Sequence, residues 1–179
     1  MSYDFNLFTA RAGVDARDIV EAEGEEFAHG ARNPKVEAQK RKVANALIAF
    51  NAKLERVEPD FDEISRLHKV PIAEAQERHR HVELMDEAAG VQIALFDDRA
   101  SLTIPFWHHG DEARRVLMQA WSYIDIVCRE FGFEVYDPQL DRVIDVNAFE
   151  EVLGEYASVT ARMETLIGRA PKRPWWKFW

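Results

Sequence analysis

Cysteine is almost missing from this chain. Cys128 stands alone among 179 residues, which excludes an internal disulfide. It falls in a helix-like apolar stripe, where an inert buried thiol is expected rather than a nucleophile. Long hydrophobic runs are missing too. No stretch approaches the roughly 18 apolar residues that a spanning helix needs. The opening Met1-Ser-Tyr-Asp-Phe-Asn lacks a basic region followed by an apolar run. The expected address is therefore cytoplasmic, and a membrane partner is not the leading expectation. The catalytic spacings are absent as well. There is no His-Glu-x-x-His and no cysteine pair. There is no Gly-rich phosphate loop, no nucleophile elbow, and no Ser/His/Asp set that chain order alone would propose. The expectation is a protein that is not an enzyme, with no cofactor and no metal.

What is present is ordinary in bulk and uneven in distribution. Apolar residues make up 47% and charged residues 31% of the chain, as in a soluble globular domain. The length suits one domain with a buried core. The formal charge is −9. The segment 169–179 holds four cations and no acid, which leaves 19 basic and 32 acidic side chains in residues 1–168, a charge of −13. An acidic body repels nucleic-acid phosphates and can steer a basic partner. The chain thus divides into a single domain, 1–168, and a basic aromatic tail, 169–179. Lys172, Arg173, Trp175, Trp176, Phe178 and Trp179 are its candidate binding residues, because tryptophan and arginine anchor interfaces. Three docking modes are open to it: its own domain, a second subunit or partner, and a membrane interface.

Periodicity gives the elements. Ser2 to Thr9 alternates as a strand, with Tyr3, Phe5 and Leu7 on one face. Residues 16–29 suit a helix behind an Asp15 cap. Pro34 to Val57 keeps a helical period, with Lys40, Arg41 and Lys42 on a solvated side. Phe61, Ile64 and Leu67 make a short helical turn, and residues 72–79 are helix or loop. His81 to Met85 reads as a strand. Val91, Ile93, Leu95 and then Leu102, Ile104, Phe106 alternate about a turn at Asp97-Asp98, which predicts a hairpin whose first strand is central and covered. Gly110-Asp111 is expected to cap a helix over 112–131, closed by Gly132. Strands follow at 133–136 and 140–146, then a helix from Asn147 to Ile167. The fold class is α+β: one mainly antiparallel sheet of about five strands with helices packed on one face.

Polar candidates are few. His108 and His109 lie between a strand end and a helix start, where an anion is favoured. Adjacent histidines on a strand diverge and rarely share a metal; in a loop they could join Asp97, Asp98 or Asp137. Asp137, in Tyr136-Asp137-Pro138-Gln139, is expected to cap its own turn. Asp97 and Asp98 read as a solvated turn. His79-Arg80-His81 reads as a solvated strand edge, with a pH-sensitive contact as the alternative.

Three segments carry a resemblance. The opening Met-Ser-Tyr-Asp-x-x-Leu-Phe, the run Gly90 to Asp98, and Val135-Tyr-Asp-Pro-Gln139 resemble a loosely defined group of small bacterial proteins of unknown function. The likeness covers the first strand and residues 90–146. Some proteins of that group resemble immunity proteins, which neutralise a toxin by binding it. The resemblance implies no catalytic residues. The expected function is a non-enzymatic protein-binding protein, an immunity protein or inhibitor whose acidic body meets a basic toxin. The alternatives are a homodimer formed through the tail, and a small-ligand binder or enzyme using His108, His109 and Asp137.

Overall fold

The computed structural model describes residues 2–25, 32–145 and 147–167. In chain order they form β1 (Ser2–Phe8), α1 (Ala16–Glu25), α2 (Pro34–Phe50), β2 (Glu55–Val57), α3 (Phe61–His68), α4 (Ile72–Arg78), β3 (Val82–Asp86), β4 (Val91–Leu95), β5 (Arg99–Pro105), α5 (Gly110–Phe131), β6 (Glu134–Asp137), β7 (Arg142–Ile144) and α6 (Phe149–Ile167). The expected α+β class is present, but the sheet has seven strands rather than about five, in the order β2-β3-β4-β5-β1-β6-β7. Every pairing is antiparallel.

The strand that periodicity did not name lies at the end of the predicted Pro34 to Val57 helix. That helix stops at Phe50, where the Asn51 N–H closes on the Leu47 carbonyl. Glu55–Val57 then pairs with β3. Three residues cannot display an alternation of their own, so the pattern merged them with the helix. Residues 72–79 resolve into α4. The last strand is shorter than 140–146, because Asp141 turns the chain at φ 53° before β7 begins. Helix α5 begins two residues before the predicted 112, with His109 at the N-cap position, where its side chain does not cap the helix amides. Gly132 ends it in the left-handed region at φ 73°, its N–H on the Cys128 carbonyl, the conformation glycine adopts without strain.

Strand register sorts the side chains into two sets. Tyr3, Phe5 and Leu7 stand opposite Ile104, Leu102 and Ala100, and the last two stand opposite Ile93 and Leu95. All are buried against Ala113, Val116, Leu117, Ala120, Ile124 and Val127 of α5, with Val43, Ala44 and Leu47 of α2 and Val152 and Tyr156 of α6. The α5 residues recur at the three- and four-residue spacing of one helical stripe. The expectation of helices on a single face needs correction. Phe8 and Tyr136 point the other way in register. They form a second small core with Ile19 of α1, so α1 covers the β1–β6 end of the opposite face. The remainder of that face carries Ser2, Asp4, Gln92, Ser101 and Thr103, all half-buried.

The hairpin is central, as expected: β4 and β5 are the third and fourth of seven strands. Only one of its faces is under the helices, however. Gln92 and Ala94 open onto the polar side, half-buried. Phe96 lies in the turn rather than in a strand, with the Arg99 guanidinium 4.7 Å from its ring centroid. Ile93 is 1% exposed and central to the main core. Ile93→Asp places an unpaired carboxylate there, and the expected loss is about 4 kcal/mol or more. A circular-dichroism melt checks it: a lost or strongly lowered transition is expected, and an unchanged Tm contradicts the placement.

Candidate functional site

The two histidines diverge. His108 is buried, its Nε2 2.7 Å from the Ala89 carbonyl oxygen and its Nδ1 3.6 Å from the Glu112 carboxylate. It fastens the β3–β4 turn to the start of α5. Gly90 in that turn sits so close to Trp107 that an added Cβ would lie 2.5 Å from the indole. His109 is exposed on the helix cap. Asp137 is fully buried at the end of β6. Its Oδ1 accepts from the Gln139 and Leu140 amides at 2.8 and 3.1 Å, the expected turn cap. Its Oδ2 accepts from the Tyr3 hydroxyl at 2.7 Å across the sheet, which the sequence pattern did not indicate. Burial holds the Asp137 carboxyl above the usual range, against the pull of its tyrosine and amide donors. Asp137 bonds to Tyr3 of β1 and to its own turn, while His108 bonds to Ala89 in the β3–β4 turn.

Among the described residues no group of three His, Cys, Asp or Glu side chains stands close enough to hold a metal. Burial pushes the Cys128 thiol up to about 11, with Asp125 adding to the shift. A thiol of that kind is a poor nucleophile. No described helix is long and apolar enough to cross a membrane. The tail candidates Lys172, Arg173, Trp175, Trp176, Phe178 and Trp179 lie outside the described residues.

Three expectations of solvated charge are overturned. Lys40 is not on a solvated face; it is 0% exposed. Its Nζ donates to Asp97 Oδ1 at 2.6 Å and to the Arg80 carbonyl at 3.0 Å, and lies 2.8 Å from Glu37. Arg80, only 6% exposed, donates to Asp97 Oδ2 at 2.6 Å. Asp97 is therefore the acceptor of two cations and not a solvated turn residue. A helical wheel places Lys40 beside its neighbours on a polar side, but the β4–β5 turn closes over it. His81 packs its ring 5.0 Å from Phe96, so the 79–81 run is an inner edge, not a solvated one.

The open face of the sheet carries a concave surface. It is a groove of about 1200 Å³ over β2, β3, β4, β5 and the start of β1. Five carboxylates line it, Asp4, Glu55, Glu83, Asp86 and Glu87, against the cations Lys53 and Arg56. Asp4 Oδ1 accepts from Ser2 Oγ at 3.0 Å and from Thr103 Oγ1 at 2.9 Å. The Gln92 amide donates to Glu83 across the strand pair. Of the five carboxylates, Asp86 is buried, accepting from the Asn51 amide at 3.3 Å and from the Ala89 N–H at 3.1 Å. The hydroxyls of Ser2 and Thr103 donate to a carboxylate rather than to an imidazole, and no histidine or cysteine lines the groove. That set lacks an activated nucleophile with its base. It presents acceptor oxygens, and acceptor oxygens take cationic and N–H donors. The sequence did hold a signal for it: Ser2, Asp4 and Asn6 alternate with the core residues of β1, and Ser101 and Thr103 with those of β5. What periodicity could not supply was the pairing that sets them side by side.

No family model, no curated protein and no solved structure matches the chain.

The Lys40 cluster yields an acid-stability prediction. Burial raises the Asp97 carboxyl, but the Lys40 and Arg80 bonds outweigh it and leave it below its ordinary value. A carboxylate depressed in the fold contributes stability that is full above its unfolded pKa of about 3.9 and is lost as pH falls below that through the folded value. Asp97→Asn is expected to cost about 2–3 kcal/mol at pH 7, less than the ~3–5 of breaking a fully buried pair, since Asp97 keeps 20% exposure. Melts at pH 7 and pH 3 check it. The gap between native and variant Tm should shrink at pH 3; a gap that stays constant contradicts the assignment.

Proposed function

We propose that this chain is a non-enzymatic protein-binding protein that receives a cationic segment of a partner across the open face of its sheet. The observation that carries the reading is the groove over five strands with its five carboxylates, framed by the half-buried Ser2, Gln92 and Thr103. A folded sheet holds these acceptors in fixed positions, so little ordering cost falls on them when a partner binds. The charge of −13 on residues 1–168 adds long-range steering toward a basic surface. It also opposes nucleic acid, whose phosphates would meet the same carboxylates. Inhibition of a basic toxin in the cytoplasm, in the manner of an immunity protein, is the finer form of this proposal and rests on the resemblance of the β1 and hairpin segments.

Titration calorimetry with a tetra-arginine peptide tests the surface without knowledge of the partner. Glu55 and Glu87 are exposed in the groove, so Glu55→Lys with Glu87→Lys leaves the core untouched. Glu21 and Glu134 are exposed outside it. The groove pair should weaken binding by about tenfold or more at low salt, an effect that fades as salt screens it. The outer pair should weaken it by about threefold or less. Equal losses from both pairs would mean that the peptide senses net charge alone, and the proposed face would be wrong.

A further inference from the structure

The helical layer carries a second groove, apolar where the first is acidic. It measures about 480 Å³ and runs along the solvent side of α5. Met118 and Phe50 are 53% and 54% exposed on it, and Trp121, Ile126 and Phe149 complete its apolar lining. Two guanidiniums flank it, Arg114 and Arg129. Both are already matched, to Glu150 at 3.1 Å and Asp125 at 3.0 Å. An exposed patch of this kind calls for an occupant. We propose that the occupant is the chain's own segment Trp175–Trp179, bound in cis.

Length and direction support that assignment. Helix α6 starts beside the groove, with Phe149 5.8 Å from Trp121. Seven residues later the Tyr156 hydroxyl donates to the Pro105 carbonyl at 2.5 Å, just ahead of α5. The two helices are therefore antiparallel, and α6 runs away from the groove. From Phe149 to Ile167 it rises about 27 Å. The seven residues 168–174, Pro171 and Pro174 among them, are long enough to span about 22–24 Å at an extended or polyproline rise. A return of that length would bring Trp175 to the near end of the groove, where Arg114 and Met118 lie. The remaining residues to Trp179 cover about 15 Å, within the ~22 Å of helix between Arg114 and Arg129. The chemistry fits as well. Trp175, Trp176, Phe178 and Trp179 are apolar rings for an apolar floor, and tryptophan faces suit the flanking guanidiniums. A second copy could supply the same rings, but the intramolecular reach makes the local segment the one present at high effective concentration.

A double-mutant cycle tests it. The full chain and a chain stopped after Gly168 are compared with and without Met118→Glu, a change at an exposed position that leaves the core intact. Removing the tail should lower Tm by about 3–6 °C in the native groove and leave Tm unchanged in the Met118→Glu background, with all four proteins monomeric by sizing. In the full chain the tail indole N–H resonances should be dispersed and should collapse to free-peptide positions on Met118→Glu. Additive Tm losses, or tail indoles at free-peptide positions in the native chain, would overturn the proposal. So would a full-length dimer that truncation dissolves, which would give the groove to a second copy. Tail-dependent binding to anionic phosphatidylserine vesicles that Met118→Glu leaves unchanged would give the segment to lipid and overturn it equally.

Discussion

Strand β1 is the constraint on which the rest depends. It pairs with β5 along all seven residues and with β6 at its far end, so it joins the two halves of the sheet. Its side chains have a period of two, and that period assigns each residue to a face. Tyr3, Phe5 and Leu7 enter the core, while Ser2 and Asp4 enter the open groove. A slip of one residue would bury Asp4 beneath α5 and expose Phe5. The hydroxyl of Tyr3 adds a second lock, since its bond to Asp137 ties β1 to the end of β6. The acidic groove is thus the other side of the same register that builds the core.

Buried polar groups hold the elements around that sheet. Lys40 joins α2 to the turn between β4 and β5 and to Arg80, two residues ahead of β3. Asn51, at the end of α2, donates to the Tyr123 hydroxyl of α5 at 2.6 Å as well as to Asp86 of β3. Such clusters contribute little net stability compared with an apolar replacement, but losing one partner leaves the others buried and unpaired. They fix how the helices sit on the sheet more than how strongly they adhere. The edges follow the same economy of exposure. Strands β2 and β7 have three residues each, too short to template pairing with another chain.

Much of this was legible in the sequence, and the gaps have physical causes. The alternation in β1 and β4 and the stripe in α5 survive intact because each is a long element with one face in the core. The segment Glu55–Val57 was not legible, since three residues carry no period and the helix before them masks the change. Lys40 looked solvated because periodicity reports a helix face and not what folds over it; the β4–β5 turn supplies Asp97 from 57 residues away. The pair His108 and His109 was read correctly as diverging. Asp137 was read as a turn cap, and Tyr3 could be added only by the β1–β6 pairing. The groove was visible strand by strand as polar alternation, but became a surface only once five strands had an order.

The central claim is that the polar sheet face is the contact surface for a cationic polypeptide. Backbone chemical-shift mapping during titration with a lysine- and arginine-rich peptide tests it residue by residue. Shifts confined to the groove strands are expected, centred on Asp4, Glu83, Gln92 and Thr103, with α5 and α6 unmoved. Shifts spread evenly over all acidic surfaces, or centred on the helical layer, would contradict it.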